Sequence, residues 1–226
     1  MGSLSSLFGH IFFRVNSKQN TKQTRYLDYT VGYAAEIPPQ GKEWLYIWKA
    51  LTGGYPGYLT GAPYYEKIIR YNDIESRDIW EYELNLTQEE TEQLVRHIWE
   101  MRQKKFDYFF FDENCAYRLL DMLKVIRPKE NLTTHFSTHT IPADTVKTLF
   151  EHQFIATTTY RPSISTQIKH QIKEHTNTQQ KWIKKISKGT IAPPFKEIAT
   201  QTPQEQANIL ETSMKYIQLK QQKIPQ

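Results

Sequence analysis

The stretch YFFFDENCAYRLLDML, residues 108–123, decides the reading of this chain. An aromatic run passes through two carboxylates into Asn114, and then Leu119, Leu120, Met122 and Leu123 recur at helical spacing until Pro128 intervenes. The pattern is a strand or extended entry over 106–111 delivering the chain into a helix that starts at Asn114 or Cys115 and runs to about Ile126. Cys115, the one cysteine among 226 residues, therefore falls in the first helical turn. There the positive end of the helix dipole favours thiolate over thiol. The backbone N–H groups of Cys115 and Ala116 have no helical partners there and are candidates for an oxyanion hole. The plainer alternative is packing, because an isolated cysteine beside Phe and Leu behaves as a small hydrophobe.

A single cysteine excludes an internal disulfide and a multi-cysteine zinc site. No metal or cofactor is expected.

Cys115 needs a base to act as a nucleophile. Among seven histidines, His97 lies in mid-helix, and His135, His139, His152, His170 and His175 lie in polar stretches where a solvated ring is the ordinary reading. His10 differs, since it follows Gly9 and opens the β-rich run IFFRV, from which a rigid element can aim its ring at a thiol. A hydrogen-bonded surface ring is the plainer reading of His10.

Outward from these two residues, LSSLFGHIFFRV (4–15) and RYLDYTVGYAA (25–35) read as two strands of a hairpin around a polar loop. KEWLYIWKAL (42–51) fits a helical face or a short strand. TGGYPGYLTGAPYY (52–65), with four Gly and two Pro, reads as a shaped aromatic loop. RDIWEYELNL (77–86) reads as a strand, and Thr87 with Glu90 as a capping box that opens a helix to about Gln103. A helix after Pro142 and the strand FIATTTYRP complete the aromatic-rich region.

From Ser165 to Gln226 there are 10 Lys, no Arg and 4 acidic residues, which leaves 19 basic and 20 acidic groups in the first 164 residues. All the basicity thus lies in the tail, where STQIKHQIKEHTNTQQKWIKKI and PQEQANILETSMKYIQLKQQ each read as an amphipathic helix. The first expectation is a helical arm packed on the core with a solvated Lys face; peripheral contact with an anionic membrane surface is the alternative. Nucleic acid is not expected, because Arg is absent and aromatics are few in the tail. No apolar run reaches the roughly 18 residues needed to span a bilayer.

Six blocks in order, LFGHIFFRV, YAAE, LTGGYPGY, YYEKI, YNDIESRDIWEYELNLTQEE and YFFFDENCAYRLLDML, resemble the Lnb N-terminal periplasmic domain family of bacteria over residues 4–164. The tail, 165–226, lies outside the resemblance. It implies an α+β fold, a circularly permuted NlpC/P60-like, papain-related domain with an antiparallel sheet, followed by a basic helical C-terminal extension. It also implies a periplasmic protein, and Met1-Gly2-Ser3 reads as an expression scar on a chain whose export signal has been removed. On the family pattern Cys115 is the nucleophile and His10 the general base.

The activity implied is thiol acyl transfer or amide cleavage through a thioester, on a lipid, a lipoprotein or a cell-wall peptide. A cell-wall peptidase and a non-catalytic envelope-binding module are the alternatives. The family often has Asn where this chain has Gly32, so the group that orients the imidazole is sought among Tyr33, Tyr29, Asp28 and Glu113. Glu113 and Asp112 have capping as their ordinary role. Arg118, Arg77, Tyr55 and Tyr64 are candidates for binding substrate, the arginines through bidentate contact with a phosphate or carboxylate. For the arginines, ion pairing with Glu75, Asp78 or Asp121 is the plainer reading.

Overall fold

The structure is a computed structural model that describes residues 9–17, 21, 24–36, 48–49, 52–109, 114–134, 136 and 140–222. The expected hairpin is present: β1 (Phe12–Val15) pairs antiparallel with β2 (Tyr29–Ala35), Phe12 opposite Gly32 and Val15 opposite Tyr29. Residues 42–47 and 50–51 of the stretch left open between helix and strand lie outside the described residues.

The Gly- and Pro-rich stretch is not a loop. Its residues Tyr55–Pro63 form β3, the longest strand, between β2 and β5 (Phe106–Tyr108) in an antiparallel sheet of order β1-β2-β3-β5. The reason lies across the sheet. The Tyr33 ring and hydroxyl occupy the space a β-carbon at Gly57 would need, and the Tyr29 hydroxyl stands 2.5 Å from where a β-carbon at Gly61 would lie. Glycine in β3 thus provides the flat bed on which tyrosines of β2 lie.

Beyond β3, α1 (Tyr64–Lys67) continues as a π-helix over Ile68–Ile74, and β4 (Ile79–Leu84) pairs with β6 (Ile155–Arg161). The capping box forms as expected: Thr87 Oγ1 accepts from the Glu90 N–H at 3.2 Å, and Glu90 Oε2 accepts from the Thr87 N–H at 2.8 Å, opening α2 (Gln88–Met101). Arg127 adds to it with a 2.7 Å bond to Glu90, which holds that carboxyl down at about 2. α3 (Cys115–Leu123) packs on β1 and β2, and Leu119, Leu120, Leu123, Leu94, Leu132 and Phe154 form the core beneath it. Each of these side chains contributes roughly 1.5–3 kcal/mol of apolar burial. Pro142 takes the first position of α4 (Pro142–Glu151), where its missing N–H costs nothing.

The tail folds around itself. The first amphipathic stretch is two helices, α5 (Ile164–Glu174) and α6 (Asn177–Ile186), because Thr176 and Gln179 form a second capping box that restarts the chain. With α7 (Pro203–Gln222) they enclose Ile168, Ile172, Ile183, Ile186, Ile198 and Ile209, so the apolar faces expected to rest on the core or enter a membrane are used within the tail's own core.

The chain divides into two compact units, residues 1–65 with 82–158 and residues 66–81 with 159–226. The second unit thus takes in 66–81 as well as the tail. Within it Asp78 accepts from the Ser163 N–H, the Thr166 hydroxyl and the Tyr160 hydroxyl, each at 2.8 Å. Burial alone would raise its carboxyl pKa; these donors outweigh that and lower it to about 2.

Candidate active site

Cys115 is the first residue of α3, and Asn114 caps that helix. Asn114 is buried. Its Oδ1 accepts from the N–H groups of Ala116 at 2.9 Å and Tyr117 at 3.4 Å, while its Nδ2 donates to the Thr140 carbonyl at 2.7 Å. One side chain therefore closes the helix start and ties it to the segment that leads into α4. Gly9, with φ of 89°, brings the chain before β1 to the same place: a β-carbon on it would lie 3.9 Å from Pro142. Three segments, 9–11, 114–116 and 140–142, meet at the N-terminus of α3.

Cys115 is 7% exposed and clusters with Tyr33 and Tyr108. Burial pushes its pKa up, and the nearby backbone N–H groups of Ile11, Ala116 and Cys115 oppose that shift. The Ile11 donor is the informative one, because it belongs to the peptide bond that leaves His10. His10 is half-buried, and its Nε2 lies 3.6 Å from the point a β-carbon on Gly32 would occupy. Gly32 and Tyr33 are adjacent in β2 and face opposite ways. Tyr33 packs with Cys115, and Gly32 meets the imidazole.

The other expected residues are distributed as follows. Ala116 is buried beside Cys115, and its N–H donates to Asn114 Oδ1 at 2.9 Å. Tyr33 is fully buried, stacks on Tyr108 at 5.5 Å between ring centroids, and donates its hydroxyl to the Asp107 carbonyl at 3.4 Å. Asp28 and Tyr29 lie at the Val15 end of the β1–β2 pairing, away from His10; Asp28 faces Arg14 at 3.6 Å, and Tyr29 is exposed. The structure does not bring these two to the imidazole. Glu113 and Asp112 lie outside the described residues.

Arg118 is one turn along α3, its guanidinium 4.4 Å from the Phe106 ring centre and 3.6 Å from Asp121. Arg77 pairs with Glu75 at 2.9 Å and belongs to the second unit. Both arginines thus have the ion-pair partners of the plainer reading. Tyr55 and Tyr64 are buried; Tyr64 packs against Phe12 and under the Arg14 guanidinium, 4.9 Å from its ring centre.

Sequence reasoning passed over Thr140, which is buried with a hydroxyl that has no hydrogen-bond partner among the described residues. It also passed over Thr60, opposite Gly32 in β3, whose Oγ1 is 3.4 Å from the same β-carbon position that His10 approaches. The Asn114 bond to its carbonyl places Thr140, and pairing across strands places Thr60; no local motif signals either. Among the described residues, no group of three or more His, Cys, Asp or Glu is arranged to hold a metal ion.

The fold and site define an α+β domain with a lone cysteine at a helix N-terminus, held against the first strand of an antiparallel sheet. The chain belongs to the Lnb N-terminal periplasmic domain family, whose model matches residues 1–152. A second family, described as a domain of unknown function (DUF7842), matches residues 158–225. No curated protein and no solved structure matches the chain. Membership assigns the chain to the periplasm and to a role in the cell envelope. Among the described residues, no helix is long and apolar enough to cross a membrane.

Proposed function

We propose that this protein is a cell-envelope thiol acyltransferase or amidase on a circularly permuted NlpC/P60-like domain, with Cys115 as nucleophile and His10 as general base. The observation that carries the reading is that the chain at 9–11 meets the start of α3: Gly9 approaches Pro142, Asn114 holds the Thr140 carbonyl, and the Ile11 N–H acts on the Cys115 sulfur. It supports His10 as the base for a thiol at a helix start, where the dipole favours thiolate. Of the two ring nitrogens Nδ1 is nearer the backbone, and we assign it to the thiol; Nε2 stays toward Gly32.

In the reaction, His10 takes the thiol proton and the sulfur attacks an ester or amide carbonyl. The oxyanion gathers the Cys115 N–H, and collapse expels the alcohol or amine with the proton that His10 returns. The resulting thioester is passed to an amine or to water. The substrate we assign is an acylated lipid or lipoprotein of the envelope. The exposed Lys169, Lys173, Lys181, Lys184, Lys185 and Lys188 of the second unit would meet anionic lipid electrostatically, a contact that salt weakens.

The raised pKa of the buried thiol favours a second reading, a binding module that retains the fold without the chemistry. Intact-mass measurement after incubation with a bacterial lipid extract separates the two. An acyl-sized increase on Cys115 that hydroxylamine removes, absent in Cys115→Ala and slowed in His10→Ala, supports the transferase. Consumption of labelled murein peptides without lipid acylation makes it a peptidase. Neither, with folded protein, leaves the binding module.

A further inference from the structure

We propose that Thr60 is a positioning residue for His10, its hydroxyl accepting from a water that receives the Nε2–H of the imidazole in the space that Gly32 leaves open. The inference rests on the reading of His10 as general base. Gly32 pairs with Phe12 of β1 on one side and with Thr60 of β3 on the other, so these three residues present one face of the sheet beside His10. A β-carbon at position 32 would stand 3.4 Å from Thr60 Oγ1 and 3.6 Å from His10 Nε2, ordinary contact distances on both sides. The two nearest atoms to this point are thus the threonine hydroxyl and the imidazole nitrogen.

Once the imidazole has accepted the thiol proton on Nδ1, both of its nitrogens carry hydrogen, and the Nε2–H needs an acceptor to hold the ring and its charge. Thr60 supplies one through a water seated over Gly32. The charged groups on this face are engaged with each other: Arg14 faces Asp28 at 3.6 Å, with its guanidinium over Tyr64. Thr30 has its hydroxyl committed to the Ala62 carbonyl at 2.6 Å. Position 32 takes a β-carbon in this geometry, so a polar residue there is placed to do the same work as Thr60 from the neighbouring strand.

The test is the pH profile of iodoacetamide alkylation of Cys115 in the full chain, compared among wild type, His10→Ala, Thr60→Val, Thr60→Ser and the double variant Thr60→Val/Gly32→Asn. Thr60→Val should slow alkylation on the low-pH limb by about threefold to tenfold, the equivalent of one hydrogen bond, and leave the high-pH plateau unchanged. Thr60→Ser should keep the wild-type profile, and Gly32→Asn should restore the low-pH limb lost in Thr60→Val. A Thr60→Val profile that overlays wild type while His10→Ala changes it overturns the role of Thr60 and leaves His10 as base. Equal slowing at every pH without rescue assigns Thr60 to packing and overturns it also. If His10→Ala leaves the profile unchanged, the base assignment itself falls.

Discussion

The backbone N–H of Ile11, just before β1, acts on the sulfur of Cys115, so the start of the sheet and the first turn of α3 come together at the one thiol of the chain. Ile11 follows His10 directly in the chain. Two influences act on the sulfur in opposite directions. Burial raises its pKa, and the three backbone donors, with the helix dipole, favour the anion.

That balance predicts how the thiol titrates. Without an imidazole partner, burial wins: the thiol stays protonated near neutral pH, and alkylation climbs only above the ordinary thiol range. With His10 as partner, a thiolate–imidazolium pair forms at lower pH, and alkylation shows a limb that rises below neutrality. His10→Ala should remove that limb, slowing labelling at neutral pH by about a hundredfold, as expected for loss of a positioned base. Quenched labelling followed by mass spectrometry reads it. A wild-type profile with only the high-pH limb would dispose of the dyad.

Asn114 makes a separate prediction, on stability. It is buried, satisfies two N–H groups of α3 and donates to Thr140, so Asn114→Ala leaves buried donors and a carbonyl without partners. The loss should be about 1–3 kcal/mol in urea unfolding. Asn114→Asp keeps the cap but sets a carboxylate against the Thr140 carbonyl, so it should recover only part of that stability near neutral pH. Equal stability of all three proteins would show that the cap does not anchor this junction.

Glu90 sets an acid limit. Its folded carboxyl titrates at about 2 instead of the ordinary 4.5, mainly through Arg127 and then through the Thr87 N–H. A depressed carboxyl stabilises the fold above its unfolded pKa, and that stability is lost as pH falls from about 4.5 toward 2. The pair is partly exposed, and the effect is discounted accordingly to roughly 1 kcal/mol. Wild type should therefore lose stability over this interval, and Glu90→Gln, already weakened at neutral pH, should lose less. Parallel pH dependence in the two proteins would rule this carboxylate out.

Much of this architecture was legible because the signals are local. Thr87 with Glu90, Asn114 before an apolar helical run, and Pro142 at a helix start each act within a few residues, and the structure has a helix start at each. The break at Thr176–Gln179 was equally local, a second capping box hidden inside a stretch whose Ile and Trp kept helical spacing throughout. What the sequence could not disclose depends on partners across the sheet. Tyr55–Pro63 carries glycine and proline at the density of a loop, and it is a strand because Tyr33 and Tyr29 of β2 fill the space those glycines leave. For the same reason Thr60 went unnoticed near His10, while Asp28 and Tyr29, close to Gly32 in sequence, lie at the far end of the strand pairing. Segment 66–81 looked continuous with the aromatic region; the bonds that Asp78 makes to 160–166 are with its own unit.

The glycine beneath Tyr33 gives the final prediction. A β-carbon at Gly57 would run into the Tyr33 hydroxyl and ring, and Tyr33 is fully buried in the cluster that holds Cys115. The ring cannot move without disturbing its stack on Tyr108 and its contact with the thiol. Gly57→Ala should therefore cost about 1–3 kcal/mol as an overpacked core position, even though alanine is otherwise the better residue away from turns. Tyr33→Leu, which removes the obstructing ring, should be destabilising on its own, as the loss of a packed aromatic. The two changes together should cost clearly less than their sum, because each relieves the other's clash or cavity. Urea unfolding of the two single variants and the double variant closes the cycle. A coupling energy near zero would mean that the β3 glycine is not there to seat Tyr33, and that the aromatic floor under Cys115 is set by some other contact.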